Sequence, residues 1–137
     1  MNIGELLRLH GLKNTPHRNH ILNELIGHNN ALTESEIKGA FSEPFDRVTF
    51  YRSTKALEKK GLIHRIVLSD ATVKYAFNSE AITPKFHPHF HCKECDNVTC
   101  IDSDIVAKTS TLPSGYEVQS AQVLIEGVCP ECSENNK

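Results

Sequence analysis

Two C-x-x-C pairs, "CKEC" at residues 92–95 and "CPEC" at 129–132, constrain what this chain can fold into more than any other feature. Each pair brings two sulfurs to one point across a tight turn. Two such hooks, tens of residues apart, are the signature of a tetrahedral four-thiolate zinc site. A Zn2+ ion held by Cys92, Cys95, Cys129 and Cys132 ties the tail of the chain back to an earlier strand. It also supplies folding free energy that so short a segment lacks. A redox dithiol is the rival reading of one C-x-x-C, and two matched pairs argue against it. At 137 residues the chain has room for one ordinary domain or two small ones, and each small one needs a metal or a partner subunit to be stable. The start, "MNIGELLRLHG", has no basic segment followed by an apolar run, and no stretch approaches the ~18 apolar residues of a membrane span. The expected location is the cytoplasm, where five cysteines do not form a disulfide framework.

Residues 1–78 read as a winged helix-turn-helix. Ile3, Leu6, Leu7 and Leu9 make a short amphipathic helix ended by Gly11. Thr15 followed by Pro16 is an N-cap with proline at the first helical position, and Ile21, Leu22, Leu25 and Ile26 form the stripe expected to be buried. Thr33, with Glu36 three residues on, is a capping box for a third helix whose apolar face is Ile37, Ala40 and Phe41. Asp46 caps a fourth helix, "RVTFYRSTKALEKKG", closed by Gly61. "LIHRIVL" and "TVKYAF", joined by Ser69, Asp70 and Ala71, read as a β-hairpin. In a winged helix the element before the wing enters the major groove. Arg47, Thr49, Arg52, Ser53 and Lys55 give that helix phosphate- and base-contacting chemistry, while Val48, Phe50, Tyr51 and Leu57 include its inward residues. The plainer alternative is an amphipathic helix with solvated charges. Charge is distributed unevenly: residues 1–80 carry 11 Lys and Arg against 9 Asp and Glu, residues 81–137 carry 4 against 8, and every arginine lies in the first part. That asymmetry suits a nucleic-acid module joined to an acidic one.

"KFHPHFHCKEC", residues 85–95, places histidines at every second position before the first hook. In a strand His87, His89 and His91 project to one side and Phe86, Phe90 and Cys92 to the other. His87 and His89 together read as metal ligands, with plain exposure as the alternative that competes most strongly at His91. Cys100, in "NVTCID", has no C-x-x-C partner. A lone cysteine is most often a small buried hydrophobe. Beside two imidazoles it is equally a soft ligand, and that mixture suits zinc better than iron(II). No H-E-x-x-H or comparable motif offers a general base, so no enzyme is expected.

The motifs "TPHRNHIL", "LTESEI", "RVTFYRSTKALEKKGLIHRI", "HPHFHCKEC" and "GVCPEC" together resemble the ferric uptake regulator family of metal-responsive bacterial transcription factors, and the resemblance runs over nearly the whole chain. It implies an α/β (α+β) homodimer with a winged-helix DNA-binding domain over 1–78, a hinge over 79–86 and an α/β dimerisation domain over 87–137. It implies that Cys92, Cys95, Cys129 and Cys132 hold structural zinc, that Tyr51 and Arg52 meet DNA, and that His87 and His89 belong to a regulatory metal site between the domains. Arg18, Arg47, Thr49 and Lys55 complete the expected DNA contacts. The departures bear on the regulatory metal. Ala31 stands where the family often has a histidine before "LT", Ala76 where a hinge carboxylate usually follows the aromatic, and Cys100 where a carboxylate is usual. Phe86 and Pro88 occupy positions at which a further site would need histidine or aspartate.

The regulatory site is therefore expected to use His87, His89 and Cys100, with a fourth donor from His91, Glu80 or His64, and to favour Zn2+ over Fe2+ and Mn2+, as in a zinc-responsive member. The function implied is a metal-dependent repressor of metal homeostasis. It would sense zinc or iron and act on a double-stranded DNA operator, with no membrane and no small organic substrate. The alternatives are a peroxide- or redox-responsive regulator of the same fold, in which Cys100 is oxidised, a zinc hydrolase, and a zinc-binding interaction module without metal sensing.

Overall fold

The structure, a computed structural model, describes residues 2–28, 30–78, 88–101, 112–117 and 122–135. The chain divides into two compact units, Met1–Ser79 and Glu80–Lys137.

In the first unit, local side-chain chemistry sets the helix starts. Helix α1 (Ile3–Leu9) is capped by Asn2, and α2 (Pro16–Gly27) by Thr15 with proline in its first turn. Strand β1 (Leu32–Thr33) leads directly into α3 (Glu34–Gly39), where the Glu36 N–H donates to Thr33 Oγ1 at 3.2 Å and the Thr33 N–H donates to Glu36 Oε1 at 2.9 Å. That reciprocal pair satisfies two otherwise orphaned donors. Helix α4 (Arg47–Lys59) begins at Asp46, whose Oδ1 accepts the Thr49 N–H at 2.6 Å. Gly61, at φ +76°, takes the left-handed turn out of α4 that other residues resist. Strands β2 (Ile63–Val67) and β3 (Val73–Phe77) then form the wing, with Arg65 opposite Tyr75. Ala71 at the tip sits at φ +71°, held by the Leu68 N–H to the Thr72 carbonyl at 2.8 Å and the Thr72 N–H to Asp70 Oδ1 at 3.0 Å.

These elements enclose a core of Leu7, Ile21, Leu22, Ile37, Phe50 and Leu57, all fully buried. A chain of rings crosses it: Phe41 to Phe45 at 5.3 Å between centroids, Phe45 to Phe50 at 5.6 Å, and Phe50 to Tyr75 at 5.5 Å. Such tilted and edge-on contacts add to the area buried, and they lock α4 to the wing. The expected apolar stripes need three corrections. Ile26 is 46% exposed, because at 100° per residue it falls on the edge of the arc set by Ile21, Leu22 and Leu25. Ala40 is the exposed C-cap of α3 and no part of its face. Val48 is 57% exposed and Tyr51 59%, since the inward arc of α4 is Phe50, Ser53, Thr54 and Leu57. Strand β1, not expected from the sequence, adds Leu32 opposite Tyr75 and makes the wing three-stranded, in order β1-β3-β2. Two residues are too few to show alternation.

The second unit holds β4 (Pro88–Cys92), β5 (Val98–Cys100), β6 (Val123–Gly127) and α5 (Pro130–Asn135). The order is β5-β4-β6, with β4 antiparallel to β5 and parallel to β6. The Phe90 ring lies over Gly127 of β6, where an added Cβ would stand 3.4 Å from Phe90 Cζ, at ordinary van der Waals contact. Among the described residues no helix is long and apolar enough to cross a membrane. The expected hinge, 79–86, lies outside the described residues.

Phe50 joins α4 to both Phe45 and Tyr75 with 1% exposure. Phe50→Ala is expected to destabilise the first unit by about 3–5 kcal/mol. Denaturant unfolding followed by far-UV circular dichroism would show it as a lower midpoint, with metal content unchanged.

Candidate functional site

The two hooks converge. Cys92 is the last residue of β4, and a turn through Asp96, at φ +66°, brings Cys95 back beside it. The turn is closed by the Asp96 N–H to the Cys92 carbonyl at 2.8 Å and the Cys92 N–H to the Asn97 carbonyl at 2.9 Å. The other hook sits where β6 gives way to α5. Cys129 precedes Pro130, and Cys132 lies in the first turn, three residues on and so on the same side. The parallel pairing of β4 with β6 and the Lys93 N–H to the Gly127 carbonyl at 2.8 Å set the hooks side by side. All four sulfurs lie within 4.8 Å of one another, and Cys95 Sγ and Cys129 Sγ are 3.9 Å apart. A tetrahedron with zinc–sulfur bonds of ~2.3 Å requires sulfur separations of about 3.8 Å. The residues fit that ion.

Their protonation fits it too. Backbone N–H groups of Cys95 and Cys129, the latter 3.3 Å from the sulfur, hold the Cys92 thiol down at about 6. Cys95 receives the Asn97 N–H, which favours its thiolate, yet sharing with Cys92 together with burial raises it. Cys132 is driven well above the usual thiol range, first by its contact with Cys129 and then by burial. Clustered sulfurs cannot all ionise next to one another without a cation between them. A divalent metal held by these four sulfurs would supply the missing charge in place of the remaining protons.

Two members of the second expected donor set meet within the second unit. His89 and Cys100 are directly opposite each other on β4 and β5, with a ring nitrogen and the sulfur within 4.8 Å. His89 is buried, and burial pushes the Cys100 thiol up to about 11. His91 stands two residues on, opposite Val98, and both its nitrogens are committed to carboxylates of the same unit. Nδ1 donates to Glu126 Oε2 at 3.1 Å and Nε2 to Asp96 Oδ1 at 2.7 Å. A carboxylate only accepts, so the two of them favour the doubly protonated ring. The Asp96 bond is the main cause of the raised pKa of the ring. His64 belongs to the first unit, on β2, where Nδ1 donates to the side-chain oxygen of Asn78. His87 and Glu80 lie outside the described residues.

On α4, Val48, Tyr51, Arg52 and Lys55 share the outward face, opposite Phe50 and Leu57. Arg47, Val48, Tyr51 and Arg52 edge a shallow cavity of about 420 Å³, floored by Phe50 and Tyr75. Lys55 Nζ stands 5.7 Å above the Tyr51 ring, a cation–π contact that orients both. Thr49 lies on the helix flank, its N–H spent on the Asp46 cap. Arg18, on α2, donates from Nη1 to the Lys13 carbonyl at 3.0 Å, a bond within its own unit. Val48 was missed as an outward residue because its apolar side chain reads as core by type.

Residues 9–126 match the sequence model of the ferric uptake regulator family. The chain belongs to that family. Among curated relatives it is 26% identical over 136 residues to the peroxide-responsive repressor PerR of Staphylococcus epidermidis, covering 93% of this chain and 86% of the relative. It is 30% identical over 97 residues to the ferric uptake regulation protein of Synechococcus elongatus, covering 69% and 64%. Among solved structures, a zinc uptake regulator complexed with zinc and DNA superposes with a TM-score of 0.73 at 19% identity, over 96% of this chain and 91% of that one. That likeness establishes the shared fold. Ferric uptake regulator family proteins are metal-responsive, DNA-binding transcription regulators, and the chain is a regulator rather than an enzyme.

Removing one sulfur leaves three crowded donors without a closed shell. Cys92→Ala is expected to lose zinc and, with it, the pairing of β4 with β6. Elemental analysis of the purified protein should read no tightly held zinc, and proteolysis should remove the second unit while sparing the first.

Proposed function

We propose that this ferric uptake regulator family protein is a zinc-responsive repressor that binds a DNA operator as a homodimer. The observation that carries the metal assignment is the facing of His89 by Cys100 across β4 and β5. A carboxylate at that place would suit iron or manganese, whereas a thiolate with an imidazole suits zinc. His87 is the third donor in this reading. With both His91 nitrogens already on carboxylates, the fourth is sought in Glu80 or His64. The outward face of α4, with Tyr51, Arg52 and Lys55, is the surface offered to the major groove, and Arg47 and Thr49 flank it. Two copies place two such helices on half-sites roughly one helical turn apart. Zinc that favours this arrangement tightens DNA binding by the same factor by which DNA tightens zinc binding.

Peroxide responsiveness is the second reading, favoured by the staphylococcal relatives. An oxidisable sensor cysteine needs an accessible thiolate, and burial keeps the Cys100 thiol neutral at about 11. That supports zinc over Cys100 oxidation.

The test begins with metal per chain before and after mild chelation, followed by fluorescence anisotropy on a duplex selected from a random pool by the zinc-loaded protein. The expected result is one resistant zinc and one removable ion, whose loss weakens DNA binding by about tenfold or more. Restoration by Fe2+ but not by Zn2+ in anaerobic buffer would overturn the zinc assignment. A single zinc per chain with unchanged DNA affinity would overturn the switch. In the same assay Arg52→Ala is expected to cost about 1–3 kcal/mol of DNA binding while both metals stay, and unchanged affinity would place the contact surface elsewhere.

A further inference from the structure

His91 takes no part in the functions assigned so far, yet it is buried and doubly bonded. Its two partners flank the two hooks. Asp96 follows Cys95 and ends the first turn, and Glu126 precedes Gly127 on the strand that delivers Cys129. His91 itself precedes Cys92 and stands opposite Glu126 in the parallel register of β4 and β6. One rigid five-membered ring therefore touches every segment from which Cys92, Cys95 and Cys129 emerge. Asp96 is largely exposed, with 71% of its side chain accessible, so its bond contributes position more than Coulomb energy.

We propose that His91 is a positioning residue for the thiolate zinc site: its ring clamps the turn that carries Cys95 to the strand that leads to Cys129, so that the hooks are in register when the ion binds. The inference rests on the zinc reading of the four cysteines. A clamp of this kind lowers the ordering that metal binding must otherwise impose. Outer-shell groups around a metal typically alter its affinity by about 10–100-fold. The ring carries no Zn–N bond in this role. As a regulatory ligand, it would have to give up one carboxylate.

The experiment uses the full-length zinc-loaded protein and measures zinc release to an excess of chelator. The cobalt-substituted form reports the tetrahedral thiolate site by its absorption bands. Three variants are compared. His91→Phe removes both bonds, while Asp96→Gly removes one and leaves a residue that accepts φ +66° without strain. Glu126→Gln keeps an acceptor oxygen opposite His91. The expected result is release about tenfold or more faster in His91→Phe and Asp96→Gly, with altered cobalt bands, and near-normal release in Glu126→Gln. Wild-type release in both His91→Phe and Asp96→Gly would overturn the clamp, as would a lowered melting temperature with unchanged release and bands. Loss of only the chelatable second metal in His91→Phe would overturn it in favour of a regulatory ligand. If the wild-type thiols hold no zinc, the zinc reading itself fails and takes the clamp with it. If His91→Phe does not fold, Asp96→Gly decides alone.

Discussion

The second unit depends on four sulfurs that cannot be brought together cheaply without a cation. Among its described residues the fully buried apolar side chains are Pro88, Cys92 and Val98, and one of the three is itself a sulfur of the cluster. Crowded thiols raise the cost, since Cys92 favours the thiolate while Cys95 and Cys132 resist ionising beside it. One divalent ion reverses the sign of this term. The repulsion that opposes the metal-free site would become the reason such a site binds metal, and one ion on the four sulfurs would hold β4, β6 and α5 together.

The first unit solves the opposite problem. Its core is large and apolar, and its helices start on side-chain caps. The inward face of α4 is fixed by Phe50 and Leu57, and Ser53 and Thr54 are buried beside them, Thr54 by donating to the Phe50 carbonyl at 3.0 Å. With that face anchored, the opposite face presents Val48, Tyr51, Arg52 and Lys55 together. On the proposed reading α4 is the element that meets DNA and has to be held rigidly from behind, and the ring chain from Phe41 to Tyr75 supplies the backing. The outward valine is apolar where arginine and lysine would be expected to dominate, a composition suited to a groove wall that carries thymine methyl groups as well as phosphates.

What could be read from the sequence alone was what is local. Thr15, Thr33 and Asp46 cap helices through bonds to residues three positions away, so their signals are complete within a short window. The C-x-x-C hooks are legible for the same reason, and their matched spacing stands in for the contact between them. The misses involve partners far along the chain. β1 exists only because Leu32 and Thr33 meet Tyr75 and Lys74. Ile26 and Val48 are apolar by type, and only the completed core shows that each lies off its helix's inward arc. His91 shares the alternation of His87 and His89, which fixes the face of the strand but not who stands there. Its partners come from five and thirty-five residues away.

The exchange of a carboxylate for a thiol at Cys100 does more on the proposed reading than soften one ligand. A carboxylate is already ionised at neutral pH, so a metal meets it at no proton cost. Burial holds the Cys100 thiol at about 11, and the metal must displace that proton before the sulfur can bind. Each pH unit between the medium and that value costs the metal about 1.36 kcal/mol. An ion with weak affinity for sulfur, such as Mn2+, recovers little of this from the bond it gains, whereas Zn2+ recovers much more. The proton cost is the same for every ion, so on this reading the thiol discriminates through the sulfur bond alone, which offsets that cost better for Zn2+ than for Mn2+. The sign follows directly: binding releases a proton, so affinity at this site falls as the medium becomes more acidic. With thermodynamic linkage, that dependence passes to the operator. A regulator built this way reports free zinc and not total divalent metal, because the common competitors meet the proton cost without the sulfur bond that offsets it.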